Sequence, residues 1–173
     1  MGHQLVRTGK RIAARQWTVA LYAIFATLCA AAANAQDLTE LPSKLLEKVE
    51  VARQACSNFE NGQFALEFGA VRRVDLDGDI YRDWVLDEAG FACSSAASLY
   101  CGTGGCMPHF LIEENLFSLL NQGWDMANIG PFRLLLADVH GSQCDGINST
   151  PCVVASVWDA EEEVLRSTGA VWE

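Results

Sequence analysis

The chain has 173 residues, half of them hydrophobic, with 22 acidic against 12 basic side chains and a formal net charge of −10. That is enough apolar material for a real core. The negative balance argues against nucleic acid or anionic lipid as a partner, and for a cationic partner or a bound metal.

The first 35 residues read as a secretory leader. Arg7, Lys10, Arg11 and Arg15 make a positive start, Trp17 to Ala33 carries no charge, and Ala33-Asn34-Ala35 offers a small-x-small cleavage site before Gln36. Cys29 follows Leu28, where a lipid-anchor pattern wants Gly, Ala or Ser, so no lipid anchor is expected. The apolar run of 17 residues is short of the roughly 20 that span a bilayer. Residues 36–173 are therefore expected to be a single periplasmic or secreted domain with no membrane segment of its own. All 22 acidic residues but only 8 of the 12 basic ones lie in it, a net charge of −14.

A helix is predicted over Leu41 to Asn61. Leu45, Val49, Ala52 and Cys56 recur at helical spacing, Ser43 is the expected N-cap, and Asn61-Gly62 is the stop. After Gly62 the period changes. Phe64 to Val74, Trp84 to Asp87, Met107 to Glu113, Phe117 to Asn121, Phe132 to Val139, Cys152 to Trp158 and Val164 to Val171 read as short strands between turn residues. The predicted class is α+β, one N-terminal helix packed on an antiparallel sheet.

One stretch names a ligand. In V-D-L-D-G-D-I-Y-R-D-W-V-L-D, from Val74 to Asp87, the residues Asp75, Asp77, Asp79 and Asp83 fall at loop positions 1, 3, 5 and 9. Carboxylates this close repel one another, and a hard cation taking six to eight oxygens relieves the repulsion; the backbone carbonyl of Tyr81, at position 7, is the expected fifth donor. Position 12 is Leu86 rather than Glu, and the flanks are β-type, so the loop is not an EF-hand. It resembles the calcium loops of integrin-type FG-GAP repeats, matching at Asp75, Asp77, Gly78, Asp79 and Asp83. Ile80 stands where that pattern has a second Gly, and a β-branched residue fits poorly if the turn needs positive φ there. The loop occurs once, so the resemblance does not imply a propeller. Calcium in a structural role is the expected cofactor.

Behind a leader, Cys56, Cys93, Cys101, Cys106, Cys144 and Cys152 read as three disulfides in an oxidising compartment, although six cysteines permit 15 connectivities. Nearest-neighbour pairing is the expectation. Cys101 and Cys106 flank a Gly-Thr-Gly-Gly turn, Cys144 and Cys152 flank a Gly/Asn/Ser/Pro loop, and Cys56 and Cys93 remain for each other. The helix cysteine, the D-x-D-G-D-x-x-x-D loop, C-G-T-G-G-C at Cys101 to Cys106 and H-G-S-Q-C at His140 to Cys144 together resemble a group of small secreted proteobacterial proteins. That resemblance implies the leader, the calcium-type loop and the disulfides, and supplies no catalytic residue.

Other constellations are weaker. Cys93, Cys101, Cys106 and His109 could serve as zinc ligands, but their spacing is not that of a C-x-x-C pair and disulfides are favoured in an exported chain. His109 on an apolar strand reads as a core or edge histidine. Asp138, His140, Ser142 and Asp145 invite a hydrolase reading centred on His140, without a G-x-S-x-G elbow. Glu113-Glu114 and Glu161-Glu162-Glu163 read as solvated hairpin ends. The expected function is an exported, non-enzymatic binding or structural module whose partner is a protein or a cell-envelope ligand. An inhibitor of a cationic cell-wall hydrolase, motivated by the charge and the Cys101–Cys106 loop, and a hydrolase at His140 are the alternatives.

Overall fold

A computed structural model of the chain describes residues 38–147 and 149–167. The expected leader, and residues 168–171 of the last expected strand, lie outside the described residues. The described elements are α1 (Ser43–Asn58), β1 (Phe64–Leu66), β2 (Val71–Val74), β3 (Asp83–Asp87), β4 (Phe91–Cys93), β5 (Pro108–Ile112), β6 (Asn115–Ser118), β7 (Gly123–Ile129), β8 (Phe132–Asp138), β9 (Val153–Asp159) and β10 (Val164–Ser167). The fold is α+β, and every ladder is antiparallel.

The single expected sheet is corrected to three. Strands β2-β3-β5-β6 form one four-stranded sheet, β7 to β10 form a second in simple meander order, and β1 pairs with β4 in a short ribbon. The physical reason lies in β3 and β5, which are apolar on both faces and so need a cover on each. Leu86 and Leu111 pack beneath α1 with Leu45, Val49 and Ala52. Val85, Phe110 and Ile112 point the other way, into a core shared with Leu135 and Leu165 of the second sheet. All five residues of β5 are buried as a result.

Helix α1 buries Leu45, Val49, Ala52 and Cys56 along one stripe, as the spacing predicts. A fully buried Leu contributes about 2 kcal/mol, so this stripe rather than capping holds the helix. Ser43 is corrected from N-cap to first helical residue. Pro42 occupies the cap position without a side-chain hydrogen bond, its carbonyl accepting from the Leu46 amide at 2.9 Å. The helix also ends earlier than expected, because Phe59 turns extended and Glu60 and Asn61 take φ of 52° and 55°.

The expected strand Phe64 to Val74 is interrupted by a turn in which Gly69 has φ +90° and the Ala70 amide returns to the Glu67 carbonyl. The strand expected from Phe117 begins at Asn115, since Glu113-Glu114 is a two-residue hairpin turn that pairs Ile112 with Asn115. Strands β4 and β7 are additions. The first is three residues long, and in the second the inward pair Trp124 and Met126 is diluted by Asp125 and Asn128.

All three expected disulfides are present. Cys56–Cys93 ties α1 to β4 with a Cα separation of 5.6 Å, Cys101–Cys106 closes a loop at 4.4 Å, and Cys144–Cys152 another at 5.8 Å. Among the described residues, no helix is long and apolar enough to cross a membrane.

Candidate metal site

The acidic loop joins β2 to β3, and its two ends are neighbours because Val74 pairs with Asp83 in the ladder. Asp83 therefore returns beside Asp75 although eight positions separate them in the chain. Between them Leu76 is buried in the core between the two large sheets, packed with Val85, Phe110 and Leu135. This apolar stake holds the polar loop against the sandwich while Asp75 and Asp77, on either side of it, turn the other way.

Each carboxylate spends an oxygen on a backbone amide. Asp75 Oδ1 accepts from Gly78 at 2.7 Å, Asp77 Oδ1 from Asp79 at 3.0 Å, Asp79 Oδ1 from Tyr81 at 2.8 Å, and Asp83 Oδ2 from Leu76 at 2.9 Å. Asp75, Asp77 and Asp83 each offer a carboxylate oxygen within 4.8 Å of the other two. Two oxygens bonded to one hard cation at about 2.3–2.6 Å lie at most about 5 Å apart, so a metal ion fits among these three. Asp79 stands outside the trio but close enough for its charge to act on Asp77 and Asp83. The Tyr81 side chain is exposed.

The electrostatics favour a cation. Burial and then the charges of Asp77, Asp79 and Asp75 push the Asp83 carboxyl up to about 6, against the opposing hydrogen bond from the Leu76 amide. Burial also raises Asp77, with Asp79 and Asp75 adding to the effect. Repulsion of this kind is relieved by a proton or by a metal ion.

The backbone reaches this arrangement through left-handed positions at Gly78 (φ +88°) and Ile80 (φ +72°). Ile80 thus occupies the positive-φ site that its β-branched side chain fits poorly, with that side chain 84 % exposed. From the second sheet, Arg133 Nε donates to the Asp75 carbonyl at 3.0 Å.

The other expected sites come out differently. Cys93, Cys101 and Cys106 are consumed by disulfides, so the zinc set has no thiolates to offer. His140 Nδ1 lies 2.8 Å from Ser142 Oγ and accepts the Ser142 amide at 3.2 Å, a local cap on the 3-10 turn Gly141–Cys144. Among the described residues, no carboxylate hydrogen-bonds to His140. Glu113, Glu114 and Glu161 to Glu163 sit exposed in hairpin turns.

One group was missed. His109 is buried, with Nδ1 2.7 Å from Ser118 Oγ and Nε2 3.1 Å from Glu88 Oε1. The three come from β5, β6 and a 3-10 turn, Glu88–Gly90, and only strand pairing joins them. The histidine on an apolar strand was the available signal, and it carried no hint of its partners.

Comparison with protein-family models, curated proteins and solved structures finds no match for this chain.

Proposed function

We propose that the chain is an exported binding module, braced by three disulfides and by a calcium ion held in the loop Asp75 to Asp83. The observation that carries the metal is the convergence of the Asp75, Asp77 and Asp83 carboxylates within 4.8 Å of one another. Calcium is the cation of choice because the donors are all oxygen and an irregular set of carboxylates and carbonyls suits its six- to eight-fold coordination. Asp79 and the Tyr81 carbonyl are the further oxygens that the loop would offer. The disulfides fit an oxidising compartment, the periplasm or the cell exterior.

The role assigned to the metal is structural. It neutralises a cluster whose repulsion is otherwise set against folding, and so fixes one end of the sandwich. Inhibition of a cationic cell-wall hydrolase is a second reading, favoured by the charge of −14 in residues 36–173. The Cys101–Cys106 loop it would use is pinned to the body by the Cys106–Asn121 bridge and by Gln122 Nε2 donating to the Thr103 carbonyl at 2.9 Å, a rigid presentation.

Calorimetric titration of the mature chain with calcium and with magnesium, alongside thermal melts in calcium and in chelator, tests the metal. A native-state site raises stability by RT ln(1 + [L]/Kd), about 2.7 kcal/mol at a hundredfold excess over Kd. Heat of binding and a melting shift that Asp77→Ala abolishes are expected. Equal melts in calcium and chelator would discard the brace.

A further inference from the structure

A cavity of about 460 Å3 opens between α1 and the first sheet. It lies at the far end of β3 from the acidic loop, for the loop precedes Asp83 while the cavity gathers Glu88, just past Asp87, and His109, the ladder partner of Leu86. The strand between them is five residues long, about 15 Å. Its volume is that of a small-molecule site, and such sites are mostly apolar with a few polar groups that fix orientation.

The walls match that description. Leu99, Met107 and Leu116 supply apolar surface, and Ala52 and Ala55 leave room on the helix side. Tyr100 adds the edge of a ring held in place by Phe64 and Phe91 and by its hydroxyl, which donates to the Ala52 carbonyl at 2.8 Å. The polar floor is Glu88, His109 and Ser118, already joined to one another at 3.1 and 2.7 Å.

Lys48 decides the chemistry. It lines the same cavity. Among the described residues it is the one Lys or Arg with no ion pair, hydrogen bond or ring contact. Lys44 pairs with Glu114, Arg53 with Glu50, Arg72 with Asp87 and Arg166 with Asp159. Arg73, Arg82 and Arg133 donate to backbone carbonyls. Glu88, the carboxylate that shares the cavity with Lys48, bonds His109 Nε2 at 3.1 Å and makes no ion pair with the lysine. A ligand complementary to this arrangement has one negative charge and a compact apolar body.

We infer that this cavity binds a small amphipathic carboxylate, its anionic head on Lys48 and its hydrocarbon body against Leu99, Met107 and Leu116. The Glu88–His109–Ser118 chain keeps the floor rigid and already paired, so the head is steered to Lys48. This site is separate from the acidic loop, and it stands whether or not the loop takes calcium.

The test is calorimetric titration of the mature chain with decanoate and with decan-1-ol, repeated on Lys48→Met and Ala55→Trp. Lys48→Met keeps the alkyl stem and removes the charge. Ala55 is exposed on the helix, so Trp there fills the cavity without disturbing the core. Far-ultraviolet dichroism and a thermal melt check that each variant folds. Decanoate is expected to bind with Kd below about 1 mM, to weaken about tenfold or more in Lys48→Met while decan-1-ol is unchanged, and to be lost in Ala55→Trp. No decanoate binding, equal affinity in Ala55→Trp, or no loss in Lys48→Met would each overturn the assignment. Asp77→Ala, which removes the loop's central carboxylate, should leave decanoate binding intact and so separates this site from the calcium reading.

Discussion

Arg133 Nε donates to the Asp75 carbonyl at 3.0 Å, and this contact joins the second sheet to the loop that carries the candidate metal site. The same guanidinium donates to Asn128 Oδ1 at 3.1 Å across the β7–β8 hairpin, so the arginine is held from both sides. Its β-carbon lies 3.3 Å from where a β-carbon on Gly78 would stand. Arg133→Ala should lower the stability of the metal-free protein by about 1–2 kcal/mol, the low end for a hydrogen bond from a charged group because the contact is only partly buried. Urea unfolding in chelator measures it. An unchanged midpoint would mean that Leu76 and the loop's own carboxylate–amide bonds secure it without the arginine.

The Asp83 carboxyl sets a pH dependence with a definite sign. Its ordinary value of 3.8 rises to about 6 in the folded chain, so the native state holds the proton more tightly than the unfolded state. In the absence of metal, stability from this group is greatest below about pH 4 and falls as pH rises toward 6 and beyond. Because the group is half exposed, solvent screening keeps the loss under about 2 kcal/mol. Melts in chelator between pH 4 and 7 should show the decline, and Asp83→Asn should flatten it. Calcium affinity should move the opposite way, tightening from pH 5 to 7 as the metal no longer competes with protons.

Ile80 pays a conformational penalty at φ +72° with no packing in return, its side chain being 84 % exposed. A non-glycine residue in the left-handed region costs about 1–2 kcal/mol, and glycine gives back about 0.5–1 through the entropy of the unfolded chain. Ile80→Gly is therefore expected to stabilise the metal-free protein by about 0.5–1 kcal/mol. A lower denaturation midpoint for this variant would show that the Ile80 backbone is not strained.

The disulfides should differ in worth according to the loops they close. On the chain-entropy model, Cys56–Cys93, with a separation of 37, contributes about 4 kcal/mol, whereas Cys101–Cys106, with a separation of 5, contributes about 2. Replacing both members of each pair with Ser and comparing denaturant midpoints tests the order. Loss of the 56–93 bond should also loosen α1, which it ties to β4.

What could be read from the chain was what local chemistry dictates. The stripe Leu45, Val49, Ala52 and Cys56 specifies a helix and its buried face because the 3.6-residue period leaves no other way to hide it. Cys101 and Cys106 can meet because the four residues between them, three of them glycine, form a tight turn without steric cost. Asp75, Asp77 and Asp83 converge because a hairpin loop brings its own ends together. The three layers needed tertiary structure: the continuous run Pro108–Ile112 says that β5 is buried on both faces, but not that a helix covers one and a second sheet the other. Asp79 was equally invisible as the carboxylate left out of the trio, since only the turn through Gly78 and Ile80 decides where each side chain points. The cavity is the clearest case. Lys48, Glu88, His109 and Ser118 lie up to 70 positions apart, on a helix, a 3-10 turn and two strands. Nothing in their local sequence couples them, because their meeting is set by strand pairing and by the packing of α1 on the sheet.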